Sequence, residues 1–160
     1  MKIEAKLAEM GLTLPEPMQE PQGMRLPFAQ VRVRGNRAYI SGHGPLNADG
    51  SLAQPRGKVG AEVPLEQGYQ AARLVALAIL SSLKRELGDL DRVTAWLRVF
   101  GMVNSAPGFN QQPTVINGFS DLILELYGPE VGQHARSAVG MAGLPVDIPV
   151  EIEAEVEISV

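Results

Sequence analysis

The alternating run at the end of the chain constrains the fold most. Apolar residues occupy the even positions from Val150 to Val160, and glutamate occupies positions 151, 153, 155 and 157. Because successive side chains of a strand point to opposite faces, this run predicts a long strand with one apolar face and one carboxylate face. The fold must therefore bury one side of a sheet that contains this strand.

A shorter strand is predicted just before it, over 135–141, and it carries a single cation, Arg136. Leu144-Pro145 and Pro149 interrupt the link, because proline fixes φ and donates no ladder hydrogen bond. If the two strands belong to one sheet, Arg136 and the glutamates can face the same space. A guanidinium fork beside a carboxylate is a candidate binding site, and a plain ion pair is the other interpretation.

The rest of the chain predicts three helices and three further strands. Apolar residues recur at steps of three and four in the helical stretches, and Gly35-Asn36 is typical of a hairpin turn. The predicted helices are 1–11, 65–87 and 112–126, and the strands are a hairpin over 28–41 and a long strand over 89–104. With two helices on one face of a mainly antiparallel sheet, the fold class is α+β, as one domain over 1–160.

The long strand over 89–104 predicts an unusual second face. Val93, Ala95, Leu97 and Val99 would form one side of it, and Thr94, Trp96, Arg98 and Phe100 the other. Since Trp, Phe and Arg are enriched in interfaces, the second side indicates a contact between chains; a second buried layer in the same chain is the alternative. Oligomerisation would cover this face.

The composition excludes several classes of site. The chain has 160 residues, 45% hydrophobic and 20% charged residues, and a net charge of −4, which disfavours a nucleic-acid surface. With no cysteine and only His43 and His134, disulfides, thiolate catalysis and a metal site are not expected. No apolar leader or long apolar run is present, so we expect a soluble cytoplasmic protein.

Two segments remain open from the residues alone. Leu14 to Pro21 is proline-rich, and we expect it to be a strap over the surface after the first helix, within an N-terminal extension of about 25 residues. Ser41-Gly42-His43-Gly44-Pro45 breaks a strand and is either a plain turn or a backbone surface for a ligand. His43 would then line a cleft or stand exposed on a loop.

Several of these pieces together resemble the Rid (YjgF-type) family of reactive intermediate deaminases, also called endoribonuclease L-PSP. The pieces are, in chain order, Pro27-Phe28-Ala29-Gln30, Gly35-Asn36, Tyr39-Ile40-Ser41-Gly42, Val115-Ile116-Asn117, Arg136-Ser137-Ala138-Val139, Leu144-Pro145 and Val150-Glu151-Ile152-Glu153-Ala154. The resemblance implies a chorismate-mutase-like fold, a homotrimer with clefts between subunits, and hydrolysis of enamines and imines without a metal or organic cofactor.

The resemblance also implies roles for individual residues. Arg136 matches the arginine that binds the substrate carboxylate, and Glu151 matches the glutamate that positions water or relays protons. The other matching positions, which would contact the ligand, are Phe28, Ser41, Gly42, Asn117 and Ala138. Phe28 and Ala138 stand where the family archetype has tyrosine and cysteine, so a hydroxyl and a thiol are absent.

Three functions are compatible with this pattern. The first is an enamine or imine hydrolase, and the second is a non-enzymatic binder of small carboxylate metabolites, which the loss of the hydroxyl and the thiol favours. A ribonuclease is the weakest, because the chain is acidic and lacks a histidine pair. For Arg136 a salt bridge within an oligomer remains the alternative, and for Glu151 membership of a solvated charged row.

Overall fold

The five-stranded sheet has the C-terminal strand at its centre. The computed structural model describes residues 1–20 and 25–160, and its elements are helices α1 (Lys2–Glu9), α2 (Leu65–Leu87) and α3 (Gln112–Gly132) and strands β1 (Val31–Arg34), β2 (Arg37–His43), β3 (Val93–Asn104), β4 (Ala135–Met141) and β5 (Val150–Ile158). The strand order is β1-β2-β5-β3-β4, and all neighbours are antiparallel except β3 with β4. The predicted α+β class is confirmed.

The alternation predicted for β5 is confirmed. Its even-numbered residues, from Val150 to Ile158, are buried, and its glutamates lie on the opposite face. The buried face packs under α2 and α3, whose apolar stripes share one core with it. The helices approach closely at Gly118, where a Cβ would collide with the carbonyl of Tyr69. One side of the sheet is therefore dry, and the other carries the charged row.

β3 does not alternate as its sequence predicts. Trp96 is 1% exposed and packs edge-on against Phe119 and Tyr127 in the core, so its expected position on the outer face is wrong. The ladder with β5 shifts register between Val93 and Ala95 and again between Trp96 and Arg98. Each irregularity moves the following side chains to the other face, which strict period-two counting cannot anticipate.

The segment after α1 is a strap, as predicted. The amide of Glu16 donates to the carbonyl of Ala48 at 2.9 Å, and the amide of Gln19 donates to that of Gly50 at 3.1 Å. The Ser81 hydroxyl of α2 donates to the carbonyl of Pro15. The segment is thus fixed to the turn over 47–50 and to α2; Pro21, the last residue of the predicted connector, lies outside the described residues.

The helix bounds agree with the prediction for α2 and differ from it for α3. α2 has the predicted bounds, whereas α3 continues past Leu126 to Gly132 across a break at Gly128, where φ is 76°, before Pro129. A glycine with positive φ followed by proline interrupts the hydrogen-bond ladder, and one further turn follows here. None of the described helices has the length and apolar character that crossing a bilayer requires.

Candidate functional site

Arg136 lies on the edge strand β4 and points toward α3. It pairs in register with Val99, whose side chain is buried beneath the helices, so both face the helix side of the sheet. Its Nη1 donates to Asn117 Oδ1 at 2.9 Å and to Ser120 Oγ at 3.1 Å, and its Nη2 donates to the carbonyl of Pro113 at 3.3 Å. α3 therefore supplies every described hydrogen-bond partner of this guanidinium.

All of these partners are neutral. No aspartate or glutamate among residues 1–20 and 25–160 forms an ion pair with Arg136, whose side chain is half-buried. Burial lowers the pKa of Arg136, and the charge of Asp121 partly opposes that effect. The Asp121 carboxylate itself accepts a hydrogen bond from the Tyr69 hydroxyl at 2.7 Å. The guanidinium thus keeps a positive charge without a fixed counter-ion in the described chain.

A serine and a histidine extend the hydrogen-bond network that positions Arg136. The Ser120 hydroxyl lies 2.8 Å from His134 Nε2, and His134 Nδ1 lies 2.8 Å from the carbonyl of Gly132. A carbonyl can only accept, so Nδ1 carries the proton and Nε2 of the neutral ring accepts from Ser120. Burial, with a contribution from the nearby Arg136 charge, lowers the pKa of His134 and favours this neutral form.

The sequence carries a signal for this arrangement in residue spacings that lie outside the family motifs. His134 precedes Arg136 by two residues, which places both on one face of a strand. Ser120 follows Asn117 by three residues, which places both on one face of a helix. Of the expected site residues, Asn117 and Ala138 do lie with Arg136: Asn117 is exposed beside the guanidinium, and Ala138 packs at the edge of the core on the same face of β4.

Glu151 lies on the other face of the sheet. It alternates with the buried Ile152 and pairs in register with Met102. Its carboxylate covers Gly42, where a Cβ would overlap it, so glycine is the residue that permits this contact. Burial raises the pKa of Glu151, and the neighbouring Glu153 adds to the effect. A half-buried carboxyl with a raised pKa is suited to proton transfer.

Ser41 and Gly42 lie at the end of β2, where Gly42 contacts Glu151, and Phe28 lies in the segment that leads into β1. The Ser41 hydroxyl donates to the carbonyl of Ala29 at 2.7 Å, which ties the segment after Phe28 to the strand end. The register between β2 and β5 shifts between Ile40 and His43, so the Ser41-Gly42 pair sits in an irregularity of the ladder. The Phe28 side chain is 54% exposed and is available for contact with another molecule.

One copy of the chain does not bring Arg136 and Glu151 together. Val99 of β3 pairs with both Arg136 and Ala154, so Arg136 points to the same side as Ala154 and away from Glu151. The expectation that Arg136 and the glutamates face one space is therefore wrong within a single copy. Its physical cause is the register of the two ladders, which pairs Arg136 with the inward-facing Val99 and Glu151 with Met102 on the opposite face of β3.

His43 is not an exposed loop histidine. It is 7% exposed, its Nδ1 lies 2.6 Å from the carbonyl of Ser41, and its Nε2 lies 2.8 Å from Ser82 Oγ on α2. Desolvation lowers the pKa of His43, so the neutral ring is favoured here too. The ring borders a cavity of about 200 Å³ between α2, β2 and the strap.

Comparison with known proteins places this geometry in a family context. Residues 4–151 match a family model described as "YjgF/chorismate mutase-like, putative endoribonuclease". Protein TCP17 of Trypanosoma cruzi is 38% identical over 158 residues, which cover 99% of this chain and 95% of that protein.

Two solved structures are also similar over nearly the whole chain. The protein Atu1372 of Agrobacterium tumefaciens, whose function is unknown, superposes with a TM-score of 0.87 at 40% identity, covering 99% of this chain and 93% of that one. A "putative endoribonuclease" of Shewanella oneidensis superposes with a TM-score of 0.88 at 28% identity, covering 99% of this chain and 100% of that one.

Proposed function

The chain belongs to the YjgF/chorismate mutase-like family, and from that premise we propose that it hydrolyses reactive enamines and imines to 2-oxo acids and ammonia. The observation that carries the proposal is the half-buried Arg136, whose described hydrogen bonds all go to neutral oxygens. Of the five N–H donors of a guanidinium, three are engaged, which leaves one on Nη2 and the one on Nε. Such a fork suits the carboxylate of a small substrate.

The proposed site is shared between two copies in a homotrimer. Arg136, Asn117 and Ala138 of one copy would face Phe28, Ser41, Gly42 and Glu151 of the next. The opposite orientations of Arg136 and Glu151 support this arrangement, since neither can reach the other within a chain. None of the described helices covers the sheet face that carries Tyr39, 46% exposed, and the glutamate row, and this face would supply the surface for association.

The chemistry needs only these side chains and water. Arg136 holds the substrate carboxylate beside a protonated imine carbon. Glu151 accepts a proton from water as its oxygen bonds to that carbon, and it returns the proton to the nitrogen of the carbinolamine. The C–N bond then breaks as Glu151 accepts the hydroxyl proton and the hydroxyl becomes a carbonyl. Glu151 passes that proton to the departing ammonia, so that one iminium and one water yield one 2-oxo acid and one ammonium. An enamine enters after protonation at carbon.

A non-enzymatic binder of small carboxylates is the second candidate. The observation that favours it is the chemistry of two positions, since neither Phe28 nor Ala138 can donate or accept a proton. Binding would then rest on Arg136 and would proceed without turnover. An amino-acid oxidase coupled to imine trapping separates the two functions, because only the enzyme shortens the lifetime of the imine.

A mixing experiment tests both the residues and the shared site. Arg136→Ala and Glu151→Gln are each expected to lower imine hydrolysis by about 100-fold or more. When the two variants are unfolded and refolded together in equal amounts, about a quarter of the wild-type rate should return. Random assembly pairs an intact Arg136 with an intact Glu151 of another copy at that frequency.

The controls make the outcome decisive. Each variant refolded alone should stay inactive, Arg136→Lys should retain part of the binding through its charge, and light scattering should give a trimer for every sample. Failure of the mixture to recover, with trimers present and each variant inactive, contradicts a shared site. A clean monomer removes the cleft, and normal hydrolysis by Arg136→Ala contradicts the proposed function itself.

A further inference from the structure

Within the described part of the chain, a second arginine, on α2, is also left without a counter-ion. The Arg85 guanidinium on α2 donates from Nη1 to Ser81 Oγ at 2.6 Å and from Nη2 to Ser82 Oγ at 3.1 Å. No carboxylate of the described ranges 1–20 and 25–160 forms an ion pair with it. Both partners are neutral hydroxyls, so they do not neutralise the positive charge of Arg85. Three of its five N–H donors remain available to another acceptor.

Arg85 borders the cavity of about 200 Å³ next to His43. The floor is polar and buried, because Ser82 is 5% exposed and His43 is 7% exposed. His43 Nδ1 donates to the carbonyl of Ser41, so the neutral ring accepts from the Ser82 hydroxyl and adds no second positive charge. Arg85 is therefore the one cation among the described residues that line this space.

The strap and the segment after β2 give the cavity its apolar walls. Pro17 and Met18 of the strap and Leu46, which follows β2, line it together with Glu20 and Gln30. Gly42 of β2 also borders it, and the Glu151 carboxylate lies over the Cβ position of this glycine. The hydrogen bonds of Glu16 with Ala48 and of Gln19 with Gly50 hold the strap on either side of Pro17 and Met18. Since a water molecule occupies about 30 Å³ in the liquid, the cavity has room for roughly six or seven atoms of that size.

We propose that this cavity is a second binding site, separate from Arg136, for a small carboxylate with a short apolar chain. Arg85 would bind the carboxylate through its free N–H donors, and Pro17, Met18 and Leu46 would contact the chain. Small-molecule sites combine apolar walls with a few fixed polar groups in this way. The proposal does not rest on the function assigned to Arg136, and it gives the N-terminal strap a role as one wall of a site.

Methionine methyl groups allow the two sites to be observed separately. Met18 lines the cavity, whereas Met102 is the register partner of Glu151 on the other face of the sheet. The full-length protein labelled with ¹³C at the methionine methyl groups is titrated with sodium butyrate, and the Met18 signal is assigned from a Met18→Leu sample. We expect the Met18 methyl to shift in a saturable manner, and butyramide, which lacks the charge, to cause no shift.

Variants then assign the shift to Arg85. Arg85→Ala should weaken the butyrate affinity at Met18 by about 10- to 100-fold, as expected when a charge-assisted hydrogen bond is lost. Arg73→Ala removes a positive charge from the same helix without touching the cavity, and it should leave the affinity unchanged. Arg136→Ala should also leave the Met18 response intact. Glu20→Gln removes the one carboxylate of the described lining and should tighten binding by a few-fold.

Each other outcome overturns the proposal. An unmoved Met18 methyl at saturating butyrate would mean that the cavity does not bind small carboxylates. An equal loss of affinity in Arg73→Ala and Arg85→Ala, with unchanged circular dichroism, would leave only a general charge effect. Loss of the Met18 response in Arg136→Ala would mean that there is one site rather than two. Failure of imine hydrolysis bears only on the function proposed for Arg136.

Discussion

The same side-chain network occurs at two ends of the molecule. In each, a histidine Nδ1 bonds to the carbonyl two residues earlier, and its Nε2 lies 2.8 Å from a serine hydroxyl on the covering helix. In each, an arginine donates to that serine oxygen at 3.1 Å. One network joins His43, Ser82 and Arg85, and the other joins His134, Ser120 and Arg136. Neither arginine has a carboxylate partner in the described chain.

The two networks differ in what closes the space in front of the arginine. Arg85 projects from a helix into a cavity whose walls, the strap and β2, belong to the same chain. Arg136 projects from an edge strand, and the carboxylate assigned to act with it lies on the opposite face of the sheet. The histidine and the serine of each network therefore fix the arginine in the same local way. The surrounding strands and loops decide whether the site in front of that arginine is complete in one copy.

A substitution at Gly42 gives the strongest test of whether Glu151 acts with Arg136, as the contrast between the two networks requires. In Gly42→Ala the new Cβ would take the place of the Glu151 carboxylate, whose side chain must swing away. Because displacing a catalytic group by an ångström or so is costly, we expect a loss in kcat/KM of about 100-fold. Steady-state kinetics with imine substrates measure it, and urea unfolding should show little change in stability, since the displaced atoms end a flexible side chain.

Gly143→Ala is the matched control for that substitution. Among the residues that the structure describes, none comes within 4 Å of the Cβ position of Gly143, and this glycine does not have the positive φ that favours glycine. We expect normal kinetics and normal stability from it. Normal kinetics in Gly42→Ala as well would show that catalysis does not depend on the position of Glu151. Glu151 would then not be the group that completes the Arg136 site from another copy.

The two histidines should differ in how they couple stability to pH. Burial places the folded pKa of each below its ordinary value of 6.5, so the unfolded state binds more protons as the pH falls past that value. The free energy of unfolding should therefore decrease below pH 6.5, by up to about 1.4 kcal/mol per pH unit for each site until its folded pKa is reached.

Urea unfolding between pH 8 and pH 5 measures this dependence in His43→Gln and in His134→Gln. The more deeply buried His43 should account for the larger part, so His43→Gln should flatten the curve more than His134→Gln does. Equal slopes in the wild type and both variants would contradict neutral, buried rings in the two networks. A larger effect from His134 would contradict burial as the cause of the difference, because His43 is the more deeply buried ring.

The features that the sequence predicted correctly depend on residues near one another in the chain, and the features that it missed depend on contacts between distant segments. Period-two and period-3.6 patterns predicted β5 and α2, because each depends on residues near in sequence. Trp96 was assigned to the wrong face because two register shifts depend on the partner strand. The separation of Arg136 from Glu151 depends on the register of β3 with both neighbours, and the contact of His43 with Ser82 spans 39 residues. Neither leaves a periodic signal.

Tyr69 provides the smallest and most selective test, because it affects only the open network. Its hydroxyl engages the Asp121 carboxylate, whose charge already acts on Arg136. In Tyr69→Phe that carboxylate is released and should compete with substrate for the guanidinium, so KM should rise by roughly two- to fivefold while kcat is unchanged. Adding Asp121→Asn should restore the wild-type KM, because the competing charge is then gone. If the double variant keeps the raised KM, Tyr69 acts through packing instead, and the absence of a counter-ion does not set the affinity of Arg136.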